Sequence, residues 1–156
     1  TAAAVFLLVA PRWRSLVALV GMVFSATVGV ATFLDGWHRP ADIVAAYLVV
    51  GLWTLLGGFV IYRVSFDYNV ISPRSRANRA ALSELLLWLA ALAGLGGAVA
   101  VMLVSGGIEQ LPSHYDEVVA STRWFAFGAL FIGGAASAVC ALLASFFRWE
   151  AVREAP

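Results

Sequence analysis

Four long apolar runs, separated by short polar segments, dominate the hydrophobic pattern of the chain. They cover residues 15–34, 43–62, 81–104 and 124–147. Each is about twenty residues long, the length that a helix needs to cross the hydrocarbon core of a bilayer. Because lipid offers no partner for backbone N–H and C=O groups, each run is predicted to be a helix rather than a strand.

A shorter apolar run, residues 1–10, precedes these four and is followed by Pro11 and Arg12. A helix of that length spans about half of the hydrocarbon core. The pattern therefore predicts an all-α polytopic transmembrane bundle of one partial and four full-length helices. The run lacks the basic residues that should precede the apolar part of a signal peptide. We therefore expect that the chain begins partway through a longer protein.

Small residues recur at helical spacing within the apolar runs. Ala90 and Gly94 are four residues apart, and there are glycine pairs at 57–58, 96–97 and 133–134. Small residues at such spacing let membrane helices approach each other closely. We interpret them as positions of helix packing rather than as a ligand site.

Composition agrees with a membrane protein and excludes some functions. The chain is 62% hydrophobic and 12% charged, with a mean hydropathy of +0.90, whereas soluble domains are about half apolar and a quarter charged. The net charge of +1 does not favour a nucleic-acid partner. The single cysteine, Cys140, allows no internal disulfide and is predicted to be a small packing residue.

The distribution of arginines predicts the orientation of the bundle, because basic residues accumulate in cytoplasmic loops. Eight of the ten arginines fall in segments that alternation places on one face, and these are Arg12, Arg14, Arg63, Arg74, Arg76, Arg79, Arg148 and Arg153. We therefore expect a multi-pass protein of the cell membrane, in a bacterial plasma membrane. Residues 35–41 would be extracytoplasmic and the C-terminus cytoplasmic. Alternation also predicts that Thr1 starts on the same face as His38.

The sequence FLDGWHRPAD, residues 33–42, is an unusually polar turn between two apolar runs. Pro40 suits the first turn of a helix, and Asp42 then lies where the helix dipole favours an acid. The spacing His38-x-x-x-Asp42 can bring the carboxylate against one ring nitrogen and leave the other as a nucleophile or base. Arg39 could bind a phosphate. From the residues alone, a solvated, capped turn and a reaction centre at the membrane surface both remain open.

Two stretches favour the reaction centre over the solvated turn: TAAAVFLLVAP at the start and VGVATFLDGWHRPADIVAAYLVVG at residues 28–51. They resemble the C-terminal half of the type-2 phosphatidic acid phosphatase superfamily, which are membrane lipid-phosphate phosphatases. The third motif of that family is a Ser-Arg pair, five residues, His, three residues and Asp. His38 and Asp42 match the end of this motif, and the resemblance covers roughly residues 1–62.

The resemblance implies a catalytic role for both residues. His38 would take the phosphoryl group as a phosphohistidine, and Asp42 would orient and polarise it. A histidine immediately before Thr1 would protonate the leaving group, and no metal or other cofactor would be required. The expected substrate is a lipid phosphate or pyrophosphate at the extracytoplasmic leaflet, with membrane lipids around the protein.

The chain departs from the motif where the Ser-Arg pair should stand. Ala31 and Thr32 occupy those positions, and phosphoryl transfer depends heavily on such a cation. Arg39 could replace it as the phosphate-binding residue. The alternative is a catalytically inactive protein of the same fold that acts as an accessory or structural subunit of a membrane complex.

The resemblance divides the chain into three parts. Residues 1–62 would form the C-terminal half of the phosphatase-like core, 63–80 a cytoplasmic Arg-rich connector, and 81–156 two additional helices with a short tail. The connector could contact anionic lipid headgroups, although topology alone explains its arginines. Near the start of the third run, Glu84 is interpreted as an acid favoured by the helix dipole or reaching the interface.

An acidic loop between the third and fourth runs contains the second histidine of the chain. His114, Asp116 and Glu117 could bind a cation, but three polar residues in such a loop are more often simply solvated.

Overall fold

A computed structural model of the chain describes residues 2–64, 70–71 and 77–153. These residues form helices α1 (Ala2–Leu8), α2 (Pro11–Leu34), α3 (Pro40–Val64), α4 (Ala77–Val104), α5 (Tyr115–Ala120) and α6 (Thr122–Trp149), with a 3₁₀ turn at Ile108–Gln110 and strands β1 (Val70–Ile71) and β2 (Val152–Arg153). The two strands pair in parallel, Val70 with Val152 and Ile71 with Arg153.

Four of the helices are long and apolar enough to cross a membrane: α2, α3, residues Ala81–Val104 of α4, and α6. The predicted all-α bundle of one partial and four full-length helices is confirmed, and the chain is a multi-pass membrane protein. Helices α2 and α3 begin earlier than their apolar runs, because a proline at the first helical position fixes the start of α2 at Pro11 and that of α3 at Pro40.

Helix α6 is the centre of the bundle. It packs against α2, α3 and α4, whereas α2 and α3 contact each other at few positions. Half of the apolar window of α6 is buried, compared with about a fifth for each of the other spans. The packing therefore does not separate residues 1–62 from residues 81–156, since the central helix comes from the second of these ranges. Most of the predicted connector, including Arg74 and Arg76, lies outside the described residues.

Glycines allow α6 to approach its neighbours, as the sequence predicts. A methyl group on Gly94 would lie 2.6 Å from Gly134 Cα, so α4 and α6 touch through their backbones at this point. Gly58 on α3 makes room for the ring of Phe147. One glycine in each of the three pairs 57–58, 96–97 and 133–134 has free space beside it. Nothing lies within 4 Å of the position that a Cβ would take at Gly57, Gly96 or Gly133.

Helix α1 folds back along α2 and α3. The hydroxyl of Tyr62 donates to the carbonyl oxygen of Leu7 at 2.8 Å, and Ala2 lies beside Gly21 of α2. Gly21 precedes Thr32 by eleven residues, or about 16 Å of helix. The prediction that Thr1 starts on the face of His38 concerns a residue outside the described ranges and stays a prediction.

Among the described side chains, Arg12, Arg14, Arg63 and Arg148 lie at the end of the bundle opposite His38. Arg14, however, is not a loop residue. It lies in the first turn of α2, is 5% exposed, and stacks over the ring of Tyr62 at 4.6 Å from its centroid. Arg63 pairs with Glu150 at 3.5 Å, which joins the ends of α3 and α6.

A polar network joins α4 to α6 near the same end. Glu84 Oε1 accepts a hydrogen bond from Ser145 Oγ at 2.5 Å, and Glu84 Oε2 pairs with Arg148 Nε at 3.0 Å. Ser145 Oγ in turn accepts from Trp88 Nε1 at 3.1 Å. Glu84 is only 7% exposed, so its interpretation as an interfacial acid is wrong. It is a buried interhelical contact.

Candidate functional site

The turn that carries His38 is fixed at both of its ends by backbone hydrogen bonds. At the end of α2, Gly36 donates to Phe33 O and Trp37 donates to Thr32 O. This is the Schellman pattern, and Gly36 takes the positive φ of 75° that the pattern requires. Pro40 starts α3 directly afterwards. His38 therefore stands in a short, well-defined turn and not in a long loop.

An aromatic cluster supports this turn from the side of the α4–α6 connection. Phe33 is fully buried, stacks on Phe125 with ring centroids 5.7 Å apart, and meets the edge of Tyr115 at 6.0 Å. Tyr115 also packs against Gly36. Burial raises the pKa of the Tyr115 phenol above its ordinary value. The position of His38 thus depends on residues far beyond it in the sequence.

His38 and Asp42 both line a cleft of about 290 Å³ between α2 and α3. The other lining residues are Phe24, Ser25, Val28, Gly29, Thr32, Ile43, Ala46 and Tyr47. The polar residues Thr32, His38 and Asp42 lie at the end of the cleft next to the turn. Phe24, Val28 and Ala46 lie further down and are exposed on the outer surface of the helices, so the cleft opens sideways to the surroundings of the bundle.

Asp42 makes a different contact from the one that its spacing to His38 allows. Its Oδ2 accepts a hydrogen bond from the backbone N–H of Arg39 at 3.1 Å, while Asp42 N donates to Arg39 O at 3.0 Å. The bond from Arg39 N to the Asp42 carboxylate is one half of a capping box at the start of α3, in which the acid at the third helical position accepts from the amide of the N-cap residue. The structure thus brings His38 and Asp42 into one cleft, and the carboxylate caps the helix.

The phosphate-binding residues expected from the motif are placed less favourably. Arg39 is exposed and does not line the cleft. Thr32, which stands in place of the motif arginine, does line it, but its hydroxyl donates back to Gly29 O at 2.9 Å and Val28 O at 3.1 Å of its own helix. The turn itself contains two carboxylates, Asp35 and Asp42, and only one arginine.

Tyr47 and Ser25 belong to the cleft and were missed by the reasoning from sequence. The hydroxyl of Tyr47 donates to the carbonyl oxygen of Ser25 at 2.6 Å and so bridges α3 to α2. Tyr47 lies in the interior of the apolar run 43–62, whose other tyrosine, Tyr62, stands at its end. That isolated polar group in an apolar helix was the available signal, because such groups are usually satisfied by a neighbouring helix.

The acidic loop shows no metal centre. His114 and Glu117 are exposed, and His114 precedes α5 without a side-chain capping bond. Across the described ranges, no three His, Cys, Asp or Glu side chains are grouped so that they could hold a metal ion.

Fold and site together define a multi-pass helical membrane protein with a lateral cleft that contains a histidine and an aspartate. Comparison with models of known protein families, with curated proteins and with solved structures finds no match.

Proposed function

We propose that this protein is a membrane phosphatase that hydrolyses a lipid phosphate or pyrophosphate through a phosphohistidine at His38. The observation that carries the proposal is the cleft between α2 and α3, in which His38 and Asp42 lie above an apolar wall. A lipid phosphate likewise has a polar headgroup joined to an apolar chain. Its headgroup would lie beside His38 and its chain along Phe24 and Val28.

The openness of the cleft to the side supports a membrane-resident substrate. Val28 is 45% exposed and Phe24 is 64% exposed on the outer surface of α2, which lipid covers in a membrane-spanning helix. A lipid could therefore enter from the bilayer without leaving it. The predicted extracytoplasmic position of residues 35–41 would direct the reaction to the outer leaflet.

The reaction would proceed in two displacements at phosphorus. One ring nitrogen of His38 attacks, the bond from phosphorus to the leaving oxygen breaks, and that oxygen takes up a proton. Water then attacks the phosphohistidine, the P–N bond breaks, and inorganic phosphate leaves with regeneration of His38. Asp42 would act as a positioning residue, because its bond to Arg39 N holds the start of α3 beside the imidazole.

The test is hydrolysis of lipid phosphates by the purified full-length protein and by the variants His38→Ala and His114→Ala. Loss of activity to the background level is expected for His38→Ala. His114→Ala is the matched control, because it removes the other histidine, which is exposed and remote in sequence from the cleft. An acid-labile phosphoprotein should be trapped in the wild type and be absent from His38→Ala. Undiminished turnover by His38→Ala contradicts the proposal.

A second candidate function is that of a non-catalytic accessory subunit of the same fold in a membrane complex. It is favoured by Thr32, whose hydroxyl is bonded within its own helix where the motif has an arginine. It predicts no hydrolysis of any lipid phosphate and a partner that stays bound on extraction in mild detergent. Hydrolysis by the isolated protein contradicts this alternative.

A further inference from the structure

The turn that carries His38 rests on one glycine of the central helix. A Cβ at Gly128 of α6 would lie 2.6 Å from Phe33 Cε1 and 3.1 Å from Pro40 Cγ. Phe33 belongs to the last turn of α2, and Pro40 is the first residue of α3. His38 lies between them, five residues after Phe33 and two residues before Pro40. Both ends of the turn are therefore in contact with the same position of α6.

The ring of Phe33 is packed on several sides besides the one that faces α6. It is fully buried, stacks on Phe125 with the ring centroids 5.7 Å apart, and meets Tyr115 in a T-shaped contact at 6.0 Å. A close-packed interior transmits a displacement rather than absorbing it. Because the amide of Gly36 donates to Phe33 O, a shift of Phe33 is passed to the backbone of the turn.

The residues that hold the turn come from the second half of the chain. Phe125 and Gly128 are three residues apart on α6, and Tyr115 is the first residue of α5. All three lie outside residues 1–62, the range of the resemblance to lipid-phosphate phosphatases. The side chain proposed to react is thus held in place by a part of the chain that the resemblance does not include.

We propose that Gly128 and Tyr115 are positioning residues of the reaction at His38. This inference rests on the proposed function, because it concerns the attack by the same imidazole. Neither residue lines the cleft, so each acts through the backbone of the turn. The nucleophile and the leaving oxygen must be roughly in line at phosphorus. A misplacement of about 1 Å can lower the rate of an enzymatic reaction about a hundredfold.

The first experiment measures hydrolysis of dioleoyl phosphatidic acid in mixed micelles by the purified full-length protein. Gly128→Ala should lower kcat at least about tenfold and change KM by about twofold or less, because the new methyl group displaces the turn and leaves the apolar wall of the cleft in place. Gly133→Ala is the control on the same helix, since nothing lies within 4 Å of its new group. Its kcat should equal that of the wild type. A Gly128→Ala protein with the kcat of the wild type overturns the inference and leaves the phosphatase proposal standing.

A second control separates loss of position from loss of stability. Gly58→Ala also overfills a packed contact, because Gly58 lies against the ring of Phe147. This contact is eighteen residues of α3, or about 27 Å, away from Pro40. At a temperature at which both variants are folded, Gly58→Ala should keep the kcat of the wild type. Equal losses of kcat in Gly58→Ala and Gly128→Ala contradict a positioning role for Gly128.

A Phe33→Leu background tests the route by which Gly128 acts. Leucine lacks Cε1 and Cζ, the two ring atoms that the methyl group of Gly128→Ala would meet at 2.6 and 2.7 Å. Gly128→Ala should therefore lower kcat by a smaller factor in this background than in the wild type. An equal factor in the two backgrounds contradicts transmission through Phe33.

A measurement on the imidazole itself separates the inference from the proposed reaction. The chain has two histidines, so a His114→Ala background leaves His38 as the only one. With ¹³C-labelled histidine, NMR in detergent should show a shifted or broadened imidazole signal for Gly128→Ala and for Tyr115→Ala. Gly133→Ala should give the signal of the wild type. Tyr115→Ala removes packing and adds no volume, so it decides the question if Gly128→Ala does not fold.

The two kinds of measurement fail independently. If the imidazole signals change as expected but the wild type hydrolyses no lipid phosphate, the control of His38 by Gly128 and Tyr115 is upheld and the phosphatase proposal is wrong. If the signals of both variants equal that of the wild type, the inference is overturned, whether or not the protein is a phosphatase.

Discussion

The carboxylate of Asp42 accepts a hydrogen bond from the backbone N–H of Arg39, with Oδ2 3.1 Å from N. The contact satisfies an amide at the start of α3 and places an acid near the positive end of the helix dipole. Asp42 therefore has a structural role in the turn that is independent of catalysis, and its variants must be interpreted with both roles in view.

Asp42→Ala should lower the free energy of unfolding by about 1 kcal/mol, because a capping contact is lost. Asp42→Asn keeps an acceptor oxygen and should cost less. Thermal unfolding in detergent measures both. Asp35→Ala is the control, since Asp35 follows the C-terminus of α2, where an acid is not favoured by the dipole. An Asp42→Ala protein as stable as the wild type contradicts the capping role.

Gly94→Ala should destabilise the bundle by about 1–3 kcal/mol, the usual cost of forcing extra volume into a packed contact. Its new methyl group would lie 2.6 Å from Gly134 Cα, and the backbone of α6 cannot rotate away as a side chain could. Gly96→Ala is a matched control on the same helix, with nothing within 4 Å of the new group. Its stability should be unchanged or slightly higher, because alanine has the greater helix propensity. Equal effects in both variants would rule out the close contact of α4 with α6.

Glu84→Ala should destabilise the protein by about 1–3 kcal/mol, because it leaves Ser145 without its acceptor and Arg148 without its ion-pair partner. Glu84→Gln can keep the bond from Ser145 and should lose less. Arg63→Ala, which removes the more exposed pair with Glu150, should change stability by about 0.5 kcal/mol or less. Chemical unfolding in detergent ranks the three variants. The expected order is contradicted if Arg63→Ala lowers the free energy of unfolding more than either Glu84 variant.

Cysteine labelling in intact cells tests the predicted orientation. In a Cys140→Ala background, Trp37→Cys should react with a membrane-impermeant thiol reagent added outside. Trp149→Cys should react only after the membrane is permeabilised, because it lies at the arginine-rich end. Both side chains are exposed, Trp37 by 74% and Trp149 by 81%, so a difference in labelling reports the side of the membrane. The reverse pattern would contradict the arginine rule for this protein.

The helices and their ends follow from the sequence because their causes are local. Each long apolar run must be helical in lipid. Pro11 and Pro40 mark first turns, and Gly36 supplies the positive φ at which α2 ends. Local spacing also placed His38 and Asp42 together, because both belong to one short turn.

Other parts of the site came from contacts between distant segments. The sequence could not show that Tyr47 reaches Ser25, that Tyr115 supports the turn below Gly36, or that Glu84 pairs with Arg148. Nor did it show that the last helix is the central one. The lipid-facing side chains of a membrane helix and the side chains that it buries in the bundle are both apolar. Hydrophobicity therefore does not reveal which face of a helix meets which neighbour.

The sequence by itself thus determined the four membrane-spanning helices, the all-α class and the polar turn that carries His38. Only the tertiary structure decided the neighbours of each helix, the cleft between α2 and α3, and the use of Asp42 as a helix cap. The physical reason is that helix formation in lipid is dictated by backbone hydrogen bonding within each run. Helix arrangement depends instead on a few glycine contacts and polar bridges between residues far apart in the chain.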